Sequence, residues 1–259
     1  MLNTKDIEIC TDNINFLVVG DVGTGKSVFA SSFPTPGYLF DFDKQSAVYR
    51  GKDFDYSQYP ITSAGWLEFD QEFNKIMVEH KYKSIILDST TSLKALALER
   101  AMAVNPKRNE VGGALWNVHY QLVKNLVDGV IRKLLSYQGY KAIIAHVKLE
   151  KDEETGAILA INPSLPGDLA EVVPAYCGEV LYSQQRVING NKEYILLTES
   201  SGLYHARSNL SGKSKLLPAF VPNDFNSIMT LLKQRSEALQ LQRAKTEINS
   251  GNTNLKLIR

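Results

Sequence analysis

Four short apolar runs mark the first 146 residues, and stretches of helical period separate them. Ile14-Asn15-Phe16-Leu17-Val18-Val19 closes on Gly20, and Tyr38-Leu39-Phe40-Asp41-Phe42-Asp43 follows the turn residues Pro34-Thr35-Pro36-Gly37. Ser84-Ile85-Ile86-Leu87-Asp88 ends in the polar cluster Ser89-Thr90-Thr91-Ser92, and Lys141-Ala142-Ile143-Ile144-Ala145-His146 is the fourth run. Runs of this length predict buried strands. Ahead of the fourth, Leu115, His119, Leu122, Leu126, Val130 and Leu134 recur at three- and four-residue steps, which predicts one stripe of a long helix. Strands alternating with helices predict an α/β fold: a mainly parallel sheet covered by helices on both faces.

After residue 146 the pattern changes. Residues 156–161 read as a strand, and residues 179–188 and 193–199 flank Asn189-Gly190-Asn191, the strongest hairpin signal in the chain. The sheet is therefore expected to carry an antiparallel hairpin extension. Residues 225–247 are helix-compatible and end near Ser250-Gly251-Asn252. The expected division is a core over residues 1–218 and a basic C-terminal helical extension over 219–259.

Composition narrows the class. With 44% hydrophobic and 22% charged residues, the chain is neither disordered nor fibrous. The first eight residues lack a basic segment followed by an apolar one, so no secretory signal is expected. No apolar run approaches the roughly 20 residues that cross a bilayer. Cys10 and Cys177 are too few for a disulfide framework, which fits a reducing cytoplasm. The net charge of +1 conceals a division: residues 202–259 hold nine Lys/Arg against three acids, leaving −5 on residues 1–201. A basic tail can seek phosphate backbones, and it can equally be the solvated face of a helix.

The sharpest local signal is Gly20-Asp21-Val22-Gly23-Thr24-Gly25-Lys26-Ser27, directly after a buried strand and opening a helix through Val28. Glycines at this spacing let successive backbone N–H groups converge on a phosphate, and the helix N-terminus adds partial positive charge. This octet, with Val28, is the expected ATP-binding cradle. Lys26 is expected to reach the β- and γ-phosphates and the Ser27 hydroxyl to ligate Mg²⁺. Asp88, ending its apolar run, is the expected acid behind the metal; capping the helix that follows is its other reading. Hydrolysis needs a further group to position or deprotonate water. Ser89, not an acid, follows Asp88, and Asp41 and Asp43 end the second run.

The glycine loop, the strand ending in alternating acids, the Ile85-Ile86-Leu87-Asp88-Ser89 run and the later strand ending in His146 together resemble the RecA-like P-loop core over roughly residues 12–210. More narrowly they resemble the phage-encoded nucleotide-binding ATPases, some of which act as single-strand annealing or recombination factors. The resemblance implies a Mg-ATP-dependent ATPase that oligomerises as a ring or filament and handles single-stranded DNA in the cytoplasm of a bacterial host. It makes Asp43 the catalytic carboxylate where relatives usually have Glu, a reach shorter by roughly 1.5 Å. It places His146 as a γ-phosphate sensor, a buried structural histidine being the other reading. It makes Arg207 a finger toward a neighbour's γ-phosphate, against the default of a surface arginine. The loops it implies for DNA contact are residues 105–113, which include Lys107 and Arg108, and residues 148–155, whose net negative charge argues against tight backbone contact; Trp116 and Tyr120, four apart, share one helical face, for which core packing is the other reading. Two further readings stand beside this one: a nucleotide-gated interaction protein with little turnover, and a small-molecule kinase. The kinase ranks last because residues 147–185 contain no Arg for a lid.

Overall fold

The structure, a computed structural model, describes residues 12–210, 216–235 and 237–238. The four apolar runs all become strands of one sheet. In chain order the elements are β1 (Asn15–Gly20), α1 (Lys26–Ala30), β2 (Gly37–Asp41), β3 (Phe54–Ser57), α2 (Ser63–Glu79), β4 (Ser84–Asp88) and α3 (Thr90–Val104). A π-turn (Trp116–Tyr120) leads into α4 (Gln121–Leu135), followed by β5 (Tyr140–Lys151), β6 (Ile158–Pro163), α5 (Leu169–Tyr176), β7 (Glu179–Ile188) and β8 (Asn191–Leu197). Then come β9 (Arg207–Ser208), β10 (Phe220–Pro222) and a helix over residues 225–235, α6.

The sheet order is β10-β8-β7-β1-β5-β4-β2-β3, with β6 on β5 and β9 on β7. Pairs among β1, β2, β3, β4, β5 and β7 are parallel, as crossovers through helices require. The Asn189-Gly190 turn reverses the chain into β8, both residues at positive φ (51° and 79°), so β7–β8–β10 extends the sheet antiparallel. This is the expected fold class in its α/β architecture: a mainly parallel sheet with helices on both faces and an antiparallel hairpin extension.

Side chains alternate across the sheet and build two cores. Leu17, Phe40, Leu87 and Ile143 face α2, α3 and α4 through Phe69, Phe73, Leu96 and Ile131. Phe16, Val18, Ile86 and Ile144 face α1 and α6 through Phe29, Phe225, Ile228 and Leu232. Residues 220–235 are therefore sheet and core: the boundary expected after residue 218 falls just ahead of a strand that pairs with β8. The remainder of the expected helix, from 239 to 247, and the tail beyond it lie outside the described residues.

Two local expectations shift. The buried stripe of α4 runs through Val123, Val127, Val130, Ile131 and Leu134, with Leu122 and Leu126 at its margin, because the preceding turn is π rather than α and rotates the register. Segment 148–155 is not a free loop. Its first half continues β5, which pairs antiparallel with β6, and Asp152 closes the turn by accepting from the Glu154 and Thr155 amides and the Thr155 hydroxyl.

Candidate nucleotide site

Parallel strands end together, and that brings the site into being. Register pairs Gly20 with His146, Asp88 with Ile144 and Asp41 with Asp88, so the carboxyl ends of β1, β5, β4 and β2 lie side by side. Ligands of open α/β sheets bind at that edge. A cavity of about 890 Å³ opens there, lined by Val22, Gly23, Gly25, Lys26, Ser27 and Val28 of the glycine loop and by Asp43, Asp88 and His146.

The glycine loop is held from outside. Ser183 Oγ donates to the Thr24 carbonyl (2.6 Å), Gln185 Nε2 to the Gly23 carbonyl (2.5 Å) and Asn223 Nδ2 to the Gly25 carbonyl (2.8 Å). With those carbonyls bonded to β7 and the residue after β10, the amides of Gly23, Gly25, Lys26 and Ser27 have no acceptor among the described residues. An anion satisfies such a set. Gly25 caps α1 at φ 92°, and a Cβ there would lie 2.6 Å from Asn223 Nδ2. At Gly20 a Cβ would lie 2.7 Å from the Ser183 carbonyl, so β1 and β7 approach closely only with glycine.

Lys26 is 5% exposed, and its Nζ donates to the Asp21 carbonyl (2.7 Å). Burial lowers its pKa, against the attraction of Asp88, Asp21 and Asp43. A phosphate within reach supplies the counter-charge. Ser27 Oγ donates to Asp88 Oδ2 (2.6 Å), and Asp88 is 2% exposed. Burial pushes the Asp88 carboxyl up to about 6, opposed by the Ser27 bond and raised further by Asp43 and Asp41. A hydroxyl beside a buried carboxylate is a hard-oxygen donor pair suited to Mg²⁺. No group of three or more His, Cys, Asp or Glu among the described residues is placed to hold a metal ion.

Asp41 and Asp43, equivalent in sequence, separate in role. The Asp41 carboxylate is buried and accepts from the Gln45 and Ser46 amides and from Gln58 Nε2 (2.7, 3.0 and 2.6 Å). It shapes the loop; Asp43 faces the cavity. The Phe42 and Asp43 amides bond the Asp88 carbonyl (2.7 and 3.3 Å), which fixes Asp43 beside the metal acid. Asp43 Oδ2 lies 3.3 Å from His146 Nε2. Burial works to raise the Asp43 carboxyl, but the His146 bond and the nearby Ser92 and Ser89 side chains outweigh it and hold the group below its ordinary range, charged at neutral pH. His146 Nδ1 is buried without a partner, so the structure uses the ring through Nε2 alone.

Arg207 is not brought to the cavity. It lies in β9 opposite Val180, level with Leu17 and three residues before Gly20 along the sheet. Its guanidinium donates to the carbonyls of Pro174, Ala175 and Cys177, the orphan acceptors at the end of α5. Within this chain the side chain is a helix-end clamp. Gly20, Asp21 and Thr24 serve the loop's backbone and likewise do not line the cavity.

Several lining residues escape a reading of the sequence: Ser92 of α3, Lys44 and Gln45 after Asp43, Val48, Ile61, and Tyr194 of β8. Ser92 lay in a quoted polar cluster and Lys44 beside a chosen acid, so each carried a local signal. Tyr194 carried none; only the hairpin returns it to Gly25, where a Cβ would come within 3.2 Å of its ring.

Fold and cavity together define an α/β P-loop nucleotide-binding domain. The chain belongs to the AAA domain family, whose model matches residues 12–210. No curated protein matches it. Among solved structures it is similar to the KaiC-like protein PH0186 of Pyrococcus horikoshii OT3, at 13% identity and a TM-score of 0.43 over 76% of this chain and 83% of that one. It is also similar to the flagellar accessory protein FlaH of Methanocaldococcus jannaschii, at 11% identity and a TM-score of 0.39 over 81% and 84%. Among the described residues no helix is long and apolar enough to cross a membrane.

Proposed function

We propose that the chain binds Mg-ATP at this cavity, hydrolyses it, and works as a homo-oligomer on single-stranded DNA in recombination or replication, as in the phage-type relatives it resembles. The observation that carries the reading is the convergence of bare loop amides, Lys26, the Ser27–Asp88 pair and the charged Asp43 on one cavity. Ser27 and Asp88 would hold a divalent cation, which would supply positive charge against the phosphates. Lys26 exchanges its bond to the Asp21 carbonyl for phosphate oxygens. Asp43 accepts a proton from water as that water attacks the γ-phosphorus in line; the bond to the β,γ-bridging oxygen breaks, and its electron pair leaves with ADP. His146 holds Asp43 in place and, through Nε2, answers to what occupies the cavity. Tyr194 offers the aromatic surface for the base.

For DNA, Trp116 is 74% and Tyr120 38% exposed, with ring centroids 5.0 Å apart. Exposed paired aromatics suit base stacking along a strand. Arg108 is not available to phosphates in this arrangement, because it donates to the Met102, Asn105 and Lys107 carbonyls. The test is phosphate release from Mg-ATP with and without long single-stranded DNA. A DNA-stimulated, Mg-dependent rate supports the proposal. Tight ATP retention without release, indifferent to nucleic acid, selects the nucleotide-gated interaction protein, a reading favoured by the short reach of Asp43 and by the His146 ring that already hydrogen-bonds it.

A further inference from the structure

Three non-glycine residues among those described hold left-handed backbone: Lys44 (φ 58°), His80 (φ 48°) and Asn189 (φ 51°). Asn189 belongs to a two-residue hairpin turn, where asparagine tolerates that region. His80 caps the end of α2 and stacks on Tyr137, centroids 4.9 Å apart. Lys44 has neither reason. Its side chain is long and bonds no backbone of its own, so the conformation is imposed by its neighbours: the Asp43 amide on the Asp88 carbonyl ahead of it, and the Gln45 and Ser46 amides on Asp41 behind it. Left-handed strain at a residue that glycine or asparagine would relieve points to a task for the side chain.

That side chain is exposed, lines the cavity next to Asp43, and has no hydrogen-bond or ion-pair partner among the described residues. Lys26 and Lys44 are the lysines of the lining, and no described arginine lines it. Three carboxylates, Asp41, Asp43 and Asp88, lie at this edge of the sheet, so a terminal phosphate brought here meets strong negative charge. Arg207, bonded elsewhere, does not counter it.

We propose that Lys44 is the second γ-phosphate cation of the site: its ammonium binds the non-bridging oxygens of the terminal phosphate from the Asp43 side, while Lys26 binds from the loop side. No bond to Lys44 forms or breaks. Water adds to the γ-phosphorus, its proton goes to Asp43, the β,γ-bridging oxygen departs on ADP with its electron pair, and Lys44 neutralises the charge on the equatorial oxygens. The inference rests on reading the cavity as a triphosphate site.

The experiment compares the full chain with K44G and K44R in calorimetric titrations with Mg-AMP-PNP and with Mg-ADP, and in thermal melts without nucleotide. K44G is expected to melt no lower than the wild type, since glycine fits φ 58° freely. It is expected to bind ADP as the wild type does and to lose about tenfold of the preference for AMP-PNP over ADP, while K44R keeps that preference. A K44G protein with unchanged preference overturns the assignment, and one that melts lower overturns the argument from strain. Should the wild type bind neither nucleotide, the triphosphate reading itself fails. A wild type that prefers AMP-PNP, alongside a K44G protein that does too, overturns only the role of Lys44.

Discussion

Asp43 and Asp41 stand two residues apart on a strand end and differ only in what surrounds them. Asp41 meets two amides and a glutamine; Asp43 meets a histidine, two serines and open cavity. Charge at Asp43 is thus kept where a proton acceptor is needed. Replacing Asp43 with Asn preserves size and removes basicity, so the phosphate-release rate should fall about 100-fold or more with nucleotide affinity within about twofold of wild type. Comparable losses in both would make Asp43 a binding residue instead. The glycine loop and Asp88 were legible because each is fixed by a local pattern: an octet after a strand, an acid after a buried run. The choice between Asp41 and Asp43 was not, since it depends on Gln58 and Ser92, which reach the strand end only through the fold.

Elements explain where Arg207 sits. A basic residue after a hairpin looks free in sequence, but β9 lays it against the last carbonyls of α5, a helix whose end no pattern announced. Arg207→Ala should lower stability by about 1 kcal/mol, seen as a lower melting temperature, and leave nucleotide affinity unchanged. Lost turnover with an unchanged melt would return the residue to a phosphate-facing role. One position further along the same strand pair, Glu179 opens β7 at 1% exposure, and burial pushes its carboxyl up to about 7, against bonds from Ser208 and the Leu210 and Asn209 amides and the nearby Arg207. A raised carboxyl favours the folded state while protonated. That contribution is complete below the ordinary value of 4.5 and is lost as pH rises through about 7. Glu179→Gln should therefore flatten the fall in stability over that window and exceed the wild type at pH 8 by on the order of 3 kcal/mol, measured by denaturant melts. A parallel pH dependence in the two proteins would contradict this. The hairpin, the parallel strands and the crossovers were legible from period and turn residues. The continuation of β5 through residues 148–151 was less legible than β6, because three of those four residues are charged and leave no apolar face to mark a strand.

Across the whole molecule, charge and surface separate the two ligands proposed for it. The nucleotide enters a cavity at the edge of the sheet, whereas the exposed Trp116–Tyr120 pair lies beyond the 105–115 loop, which His119 pins by accepting from the Leu115 amide and bonding the Asn105 carbonyl. Trp116→Ala should weaken single-stranded DNA binding by about 1–3 kcal/mol in a fluorescence anisotropy titration and leave Mg-ATP binding intact. Unaltered DNA affinity would move the contact elsewhere on the surface. All of this depends on the cavity holding a triphosphate, and calorimetric titration of the wild-type chain and Lys26→Ala with Mg-ATP tests that directly. A saturable single-site heat in the wild type that is weakened at least about tenfold by Lys26→Ala is expected. No heat in the wild type, or the same binding in both proteins, would contradict it.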